Sequence, residues 1–177
     1  MTRKLLFILP GLGFILLSAF LMRGLFLDPS RIPSPLIGTE APRFTLPDLA
    51  DPSREISNEG WTGSPYLVNV WGTWCAGCRE EHEVLLEIAR RHELPILGIN
   101  WKDQPELALR WLAELGNPYS AVAADLEGRV AIDWGVYGAP ETFLVGADGR
   151  VIWKHIGPLT LEAWQADFLP HLQGQGG

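Results

Sequence analysis

Residues 66–78 read YLVNVWGTWCAGC. The first six are apolar apart from Asn69 and lie between Pro65 and Gly72, which reads as a buried central strand. From Cys75 to about Arg91 the pattern turns helical, with Val84, Leu85, Ile88 and Ala89 on one stripe. The cysteine pair therefore stands where a strand ends and a helix starts. A thiolate at a helix N-terminus is stabilised by unpaired backbone N–H groups and by the helix dipole. In such a C-x-x-C the first sulfur is expected at the exposed helix tip and the second to point inward. Cys75 is then the attacking thiolate and Cys78 the thiol that resolves the mixed disulfide.

Other readings of the pair stay open. A structural disulfide closing so short a loop constrains the unfolded chain little. A zinc site needs two more ligands; His82 supplies a third, but His92, His155 and His171 show no partnering pattern. Two buried, unpaired cysteines are the third reading.

Outward from this junction the chain alternates. Pro95 to Trp101 reads as a second apolar strand. Asp103 is expected to cap the next helix with Glu106 in a capping-box-like pair. Ala108, Trp111, Leu112 and Leu115 give that helix one face, and Gly116 ends it. Ser120 to Ala124 reads as a strand and Arg129 to Trp134 as a short helix. Glu141 to Val145 and Arg150 to His155 read as strands around the Ala147-Asp148-Gly149 turn. Thr160 to Phe168 reads as a closing helix. Upstream, Phe44 to Leu49 is a short strand and residues 51–64 a loop. The expected class is α/β: a mixed central sheet with helices on both faces.

The chain has 177 residues, enough for one ordinary domain without disulfide staples. Residues 5–22 form an uncharged run of 18, LLFILPGLGFILLSAFLM, about 27 Å long as a helix. Arg3 and Lys4 precede it, so the positive-inside rule keeps the N-terminus cytoplasmic and exports the rest. A cleaved signal peptide is the competing reading. Its apolar region runs about 7–15 residues and ends in a small-x-small site, whereas Leu17-Ser18-Ala19 has Leu where a small residue belongs. Residues 1–27 are thus expected to be a cytoplasmic tip and transmembrane anchor, 28–38 a Pro-rich tether and 39–174 the exported domain. Net charge is −7, and every acidic residue follows residue 27, so nucleic acid is not an expected partner. No cofactor or metal is called for.

The stretch Val70 to Cys78 resembles the strand–turn–helix of thioredoxin-fold proteins, and Gly138 to Phe143 their cis-proline loop. Cys78-Arg79-Glu80-Glu81-His82 and GVYGAPETF (residues 135–143) are similar to the membrane-anchored thiol:disulfide interchange proteins of cytochrome c maturation. The exit segment Gly24 to Pro29 and Leu115 to Tyr119 fit the same family. The resemblance implies a thioredoxin-like domain behind one N-terminal transmembrane helix, held in the bacterial inner membrane with its catalytic domain periplasmic. It implies a protein disulfide oxidoreductase kept reduced by a membrane electron-donor thiol protein. The client it implies is apocytochrome c, or an intermediary thiol protein, whose C-x-x-C-H cysteines are reduced for haem ligation. By the same analogy Cys75 is the nucleophile, Cys78 resolves, Pro140 is the cis-proline facing them, and Glu81 and Glu141 make the site acidic. Trp74 flanks the nucleophile, where rim packing is its plainer role.

Two departures stand out. Thioredoxins carry a buried aspartate six residues before the first cysteine; here that position is Asn69, which cannot take the proton. Glu81 or Glu141, directly or through water, is the substitute candidate. The dipeptide Ala76-Gly77 lacks the usual proline. Glu81, Glu141 and His82 also have ordinary readings as solvated residues. Rival functions are a peroxidase, whose P-x-x-x-T-x-x-C loop is absent at Val68 and Gly72, a general periplasmic disulfide reductase or isomerase, and a non-catalytic haem or apocytochrome chaperone.

Overall fold

The computed structural model describes residues 3–25, 34–92 and 94–173. It divides into two compact units, Met1–Ile32 and Pro33–Gly177. The first unit is helix α1 (Arg3–Leu25), with Pro10 inside it and Phe14, Ile15, Leu17 and Phe20 exposed. Among the described residues no helix is long and apolar enough to cross a membrane; in α1 the described side chains run from Pro10 to Gly24. Of the expected tether, residues 28–33 lie outside the described residues. Residues 34–38 form a turn in which the Gly38 N–H donates to the Val151 carbonyl.

The second unit is built on β3 (Tyr66–Trp71), all six residues of which are buried. Its neighbours are β4 (Ile96–Trp101) in parallel and β6 (Glu141–Val145) antiparallel. Outside them lie β5 (Ala121–Asp125) and β7 (Val151–Ile156), giving the order β5-β4-β3-β6-β7. The mixed sheet expected from the strand and helix order is present. Alternation along β3 sends Leu67 and Trp71 to the face carrying α2 (Ala76–Arg91) and α3 (Pro105–Leu115). Tyr66, Val68 and Val70 go to the face carrying α4 (Arg129–Asp133). Each large apolar side chain buried this way contributes roughly 1.5–3 kcal/mol, so the strand that delivers the cysteines is anchored from both sides.

Three local expectations change. The stretch 51–64 holds β2 (Glu55–Ser57), paired antiparallel with β1 (Thr45–Pro47), and a 3-10 turn (Glu59–Trp61). Three residues with one apolar member, Ile56, are too few to show a period. Asp103 does not cap α3: the N-cap is Gln104, with Pro105 behind it, and the aspartate bonds to Thr73 instead. The closing helix runs further than Phe168. Thr160 Oγ1 accepts from the Ala163 N–H, α5 (Leu161–Ala163) passes into a π-helical stretch (Trp164–Phe168), and α6 (Leu169–Gln173) follows.

Candidate redox-active site

Gly72 to Cys75 turn the chain from β3 into α2. Cys75 is the N-cap residue, with φ −94° and ψ 113°, and its Sγ accepts the Cys78 N–H at 3.0 Å. One orphan donor of the helix is thus aimed at this sulfur, as an N-terminal thiolate requires. Cys75 and Cys78 are joined in a disulfide with Cα atoms 5.3 Å apart. Cys75 is only 5% exposed, barely more than Cys78 at 3%, so the tip sulfur is better covered than the sequence suggests.

Two prolines close over the C-x-x-C turn. A Cβ on Gly77 would lie 2.9 Å from Pro158 Cγ and 3.0 Å from Pro140 Cδ. The Ala139–Pro140 bond is cis, and the Pro140 carbonyl accepts the Gly157 N–H at 2.9 Å. That bond ties the two proline loops together. Pro158 carries no sequence signal, because only the fold brings the β7–α5 loop here.

Glu81 is 1% exposed, which removes its reading as a solvated helix residue. It lies on the inner face of α2 with Cys78. Oε1 accepts from Asn69 Nδ2 and Oε2 from the Leu159 N–H, both at 2.8 Å. Burial pushes its carboxyl up from 4.5 to about 7, against the opposing pull of those two hydrogen bonds. Asn69 in turn accepts the Tyr119 hydroxyl at 2.9 Å and donates to Thr142 Oγ1 at 3.0 Å. Burial, then the Glu81 charge, hold Tyr119 well above its ordinary value.

Glu141 is also buried, but elsewhere. It pairs in register with Val70, so it shares the α4 face and not the face of Asn69 and Glu81. Lys154 Nζ lies 2.7 Å from Oε2 and donates to the Gly135 carbonyl. Burial raises the Glu141 carboxyl, with Lys154 pulling it down. The fold separates the two candidate carboxylates by the thickness of the sheet. Lys154 and Tyr119, both part of the buried polar framework, escaped the sequence reading.

His82 is buried between α2 and α3. Trp111 Nε1 donates to its Nδ1 at 3.4 Å, so the proton sits on Nε2, 3.0 Å from the Gly116 carbonyl. Both ring nitrogens are engaged within the protein, which leaves neither for zinc. In a His82→Ala variant the indole N–H and the carbonyl lose their partners beside a new cavity. We expect a loss of roughly 2–4 kcal/mol in unfolding free energy, read from urea midpoints.

Trp74 is 53% exposed beside Cys75, its indole N–H on the Trp101 carbonyl at 3.2 Å. A disulfide that caps a helix, under a cis-proline loop and above one buried carboxyl, defines a thioredoxin-fold catalyst of dithiol/disulfide exchange. The Redoxin family model matches residues 36–167. The chain is 46% identical over 157 residues to the thiol:disulfide interchange protein DsbE of Allochromatium vinosum, covering 89% of this chain and 87% of that one. It is 43% identical over 171 residues to the DsbE of Pseudomonas aeruginosa, covering 97% and 94%. Among solved structures, a secreted thiol-disulfide isomerase from Corynebacterium glutamicum superposes with a TM-score of 0.69 at 21% identity, over 84% of this chain and 96% of that one, which supports the fold alone. The chain belongs to the Redoxin family and, within it, to the DsbE thiol:disulfide interchange proteins.

Proposed function

We propose that this chain is the membrane-anchored reductant of cytochrome c maturation in the bacterial inner membrane, with its redox domain periplasmic. The observation that carries the reading is the segment Gly135–Phe143, which resembles that family and whose cis-Pro140 packs on the C-x-x-C turn. The apolar run of residues 5–22 behind Arg3 and Lys4 supports an N-terminal anchor. A membrane thiol protein supplies electrons, and the client is apocytochrome c or a thiol protein that serves it.

In the working direction the Cys75 thiolate attacks one sulfur of the client disulfide. A mixed disulfide forms, and the client's other sulfur leaves as a thiolate. Cys78 then gives its proton to the Glu81 carboxylate and attacks Cys75 Sγ. The second client sulfur leaves, the client is reduced by two electrons, and the Cys75–Cys78 disulfide seen here remains. The donor's dithiol reverses these steps. Glu81 fills the proton-accepting role that Asn69 cannot, because it is the carboxyl bonded to Asn69 on the inner face of α2.

The test is trapping in cells with Cys78→Ser. Disulfide-linked apocytochrome c or its dedicated thiol partner is the expected catch; a spread of unrelated exported proteins indicates a general reductase. A second expectation concerns the anchor. Full-length chain should stay with membranes through carbonate extraction, while residues 34–177 alone should be soluble and redox-active. Expression of the full-length chain that yields a shortened, soluble periplasmic product would mean a signal peptide instead.

A further inference from the structure

We propose that Asp103 is a positioning residue for the exchange reaction. It fixes the Thr73–Trp74 turn so that the Trp74 indole forms a landing surface for the partner's cysteine-bearing segment.

One carboxylate gathers four donors. Oδ2 accepts the Thr73 N–H at 2.6 Å and Asn100 Nδ2 at 2.9 Å; Oδ1 accepts Thr73 Oγ1 at 2.7 Å and the Gln104 N–H at 2.8 Å. Two of the four come from a single residue thirty positions away, immediately before Trp74-Cys75. Charge-assisted bonds of this kind are about twice as strong as neutral ones, so the β4–α3 loop holds the turn firmly. The loop is itself shaped for this. Lys102 takes φ 47°, a left-handed conformation that a lysine seldom adopts, and its N–H is held by the Asp125 carbonyl at 3.0 Å.

The held turn has a consequence at the surface. Trp74 is not packed away, yet it is immobilised on three sides. Its indole lies over Gly72, where a Cβ would sit 2.8 Å from Trp74 Cε2. Its N–H is spent on the Trp101 carbonyl, and its ring meets Trp101 edge-on with centroids 5.6 Å apart. A large aromatic kept half exposed and rigid, one residue from the attacking sulfur, offers apolar contact area at low entropic cost. The occupant is an extended peptide segment carrying the cysteine under attack, because the platform is continuous in sequence with Cys75. A small disulfide has no flanking residues to place on it.

The test compares two probes with the same leaving group on the reduced full-length protein. One is cysteamine as its 2-pyridyl disulfide. The other is a peptide of about ten residues whose central cysteine carries the same group. In both, the Cys75 sulfur bonds to the probe sulfur, the pyridyl S–S bond breaks, and pyridine-2-thione leaves and is read by absorbance. In Asp103→Asn only one oxygen remains to accept, and the peptide-to-cysteamine ratio of rate constants should fall about three- to tenfold, the scale of one aromatic contact. Thr73→Ser, which keeps the hydroxyl, should hold the wild-type ratio. Trp74→Ala should lower the ratio as Asp103→Asn does, and the double variant should fall no further. Amide exchange at Thr73 should quicken in Asp103→Asn. An unchanged ratio, with both rate constants moving together, would mean that Asp103 acts only through its charge on the thiolate and would overturn the proposal. Full additivity with Trp74→Ala would overturn it too.

Discussion

Disulfide exchange by a Cys75→Ala variant is expected to fall by about 10³-fold or more, the scale on which an enzyme responds to losing its nucleophile. The structure supplies the reason. Cys75 occupies the N-cap of α2, and its sulfur already takes the Cys78 N–H as a hydrogen bond. Once reduced, that sulfur is where the helix terminus favours a thiolate. Cys78 lies inside the first turn of the same helix and lacks that favour. Cys78→Ser should therefore leave the first step intact and block the second. The mixed disulfide, transient in wild type, should persist on the minutes-to-hours scale of uncatalysed rearrangement. Rapid alkylation of the reduced protein followed by mass mapping checks the order of the two thiols. Faster labelling of Cys78 than of Cys75 would reverse the roles.

What the sequence disclosed about this site followed the length scale of each interaction. The strand–turn–helix at residues 66–91 is local: apolar burial of β3 and the stripe on α2 lie within one short window, so its type and ends could be read closely. Glu81 is the opposite case. In Arg79-Glu80-Glu81-His82-Glu83 it sits among charged neighbours, so the helical pattern alone leaves it a solvated residue and only the family resemblance makes it a candidate proton acceptor. Its partners, Asn69 and Leu159, stand 12 and 78 residues away. Only the folded sheet turns that one glutamate inward with His82 while Glu80 and Glu83 stay exposed. Glu141 is a candidate by the resemblance, but its partner Lys154 and its place on the other face of the sheet were hidden in the same way, since β6 and β7 must pair before the ion pair exists. Asp103 was visible as a residue but not in its role. A helix start invites a capping aspartate, and the rival donors on Thr73 become available only when β3 and β4 lie side by side.

The buried Glu81 should make stability fall as pH rises, in a window that the carboxyl itself sets. Its folded value is about 7 and its ordinary value 4.5. Between these the folded protein binds a proton that the unfolded chain has released, so stability declines through the window and is lowest above it. The rise corresponds to about 3 kcal/mol at 1.36 kcal/mol per pH unit, an upper figure for a site that can relax. In Glu81→Gln the Glu81 share of this slope should vanish, leaving what the raised Glu141 carboxyl contributes. The amide offers one oxygen where two donors arrive, from Asn69 and Leu159, and this cost of roughly 1–3 kcal/mol applies at every pH. The comparison therefore rests on the shape of the two curves and not on their height. Urea unfolding of the oxidised proteins from pH 4 to 8 measures it, with the cysteines held out of the titration by their disulfide. Parallel curves would show that Glu81 does not titrate in this window. The same proton governs the redox poise. Above about pH 7 the carboxylate repels a nearby thiolate with little screening, which disfavours the reduced form and keeps the pair reducing. Below it the charge is gone. The potential of Glu81→Gln, measured against glutathione, should thus lie above wild type at pH 8 and converge with it near pH 5. A gap that is constant across that range would point to packing, and not to the charge, as the way in which Glu81 acts on the disulfide.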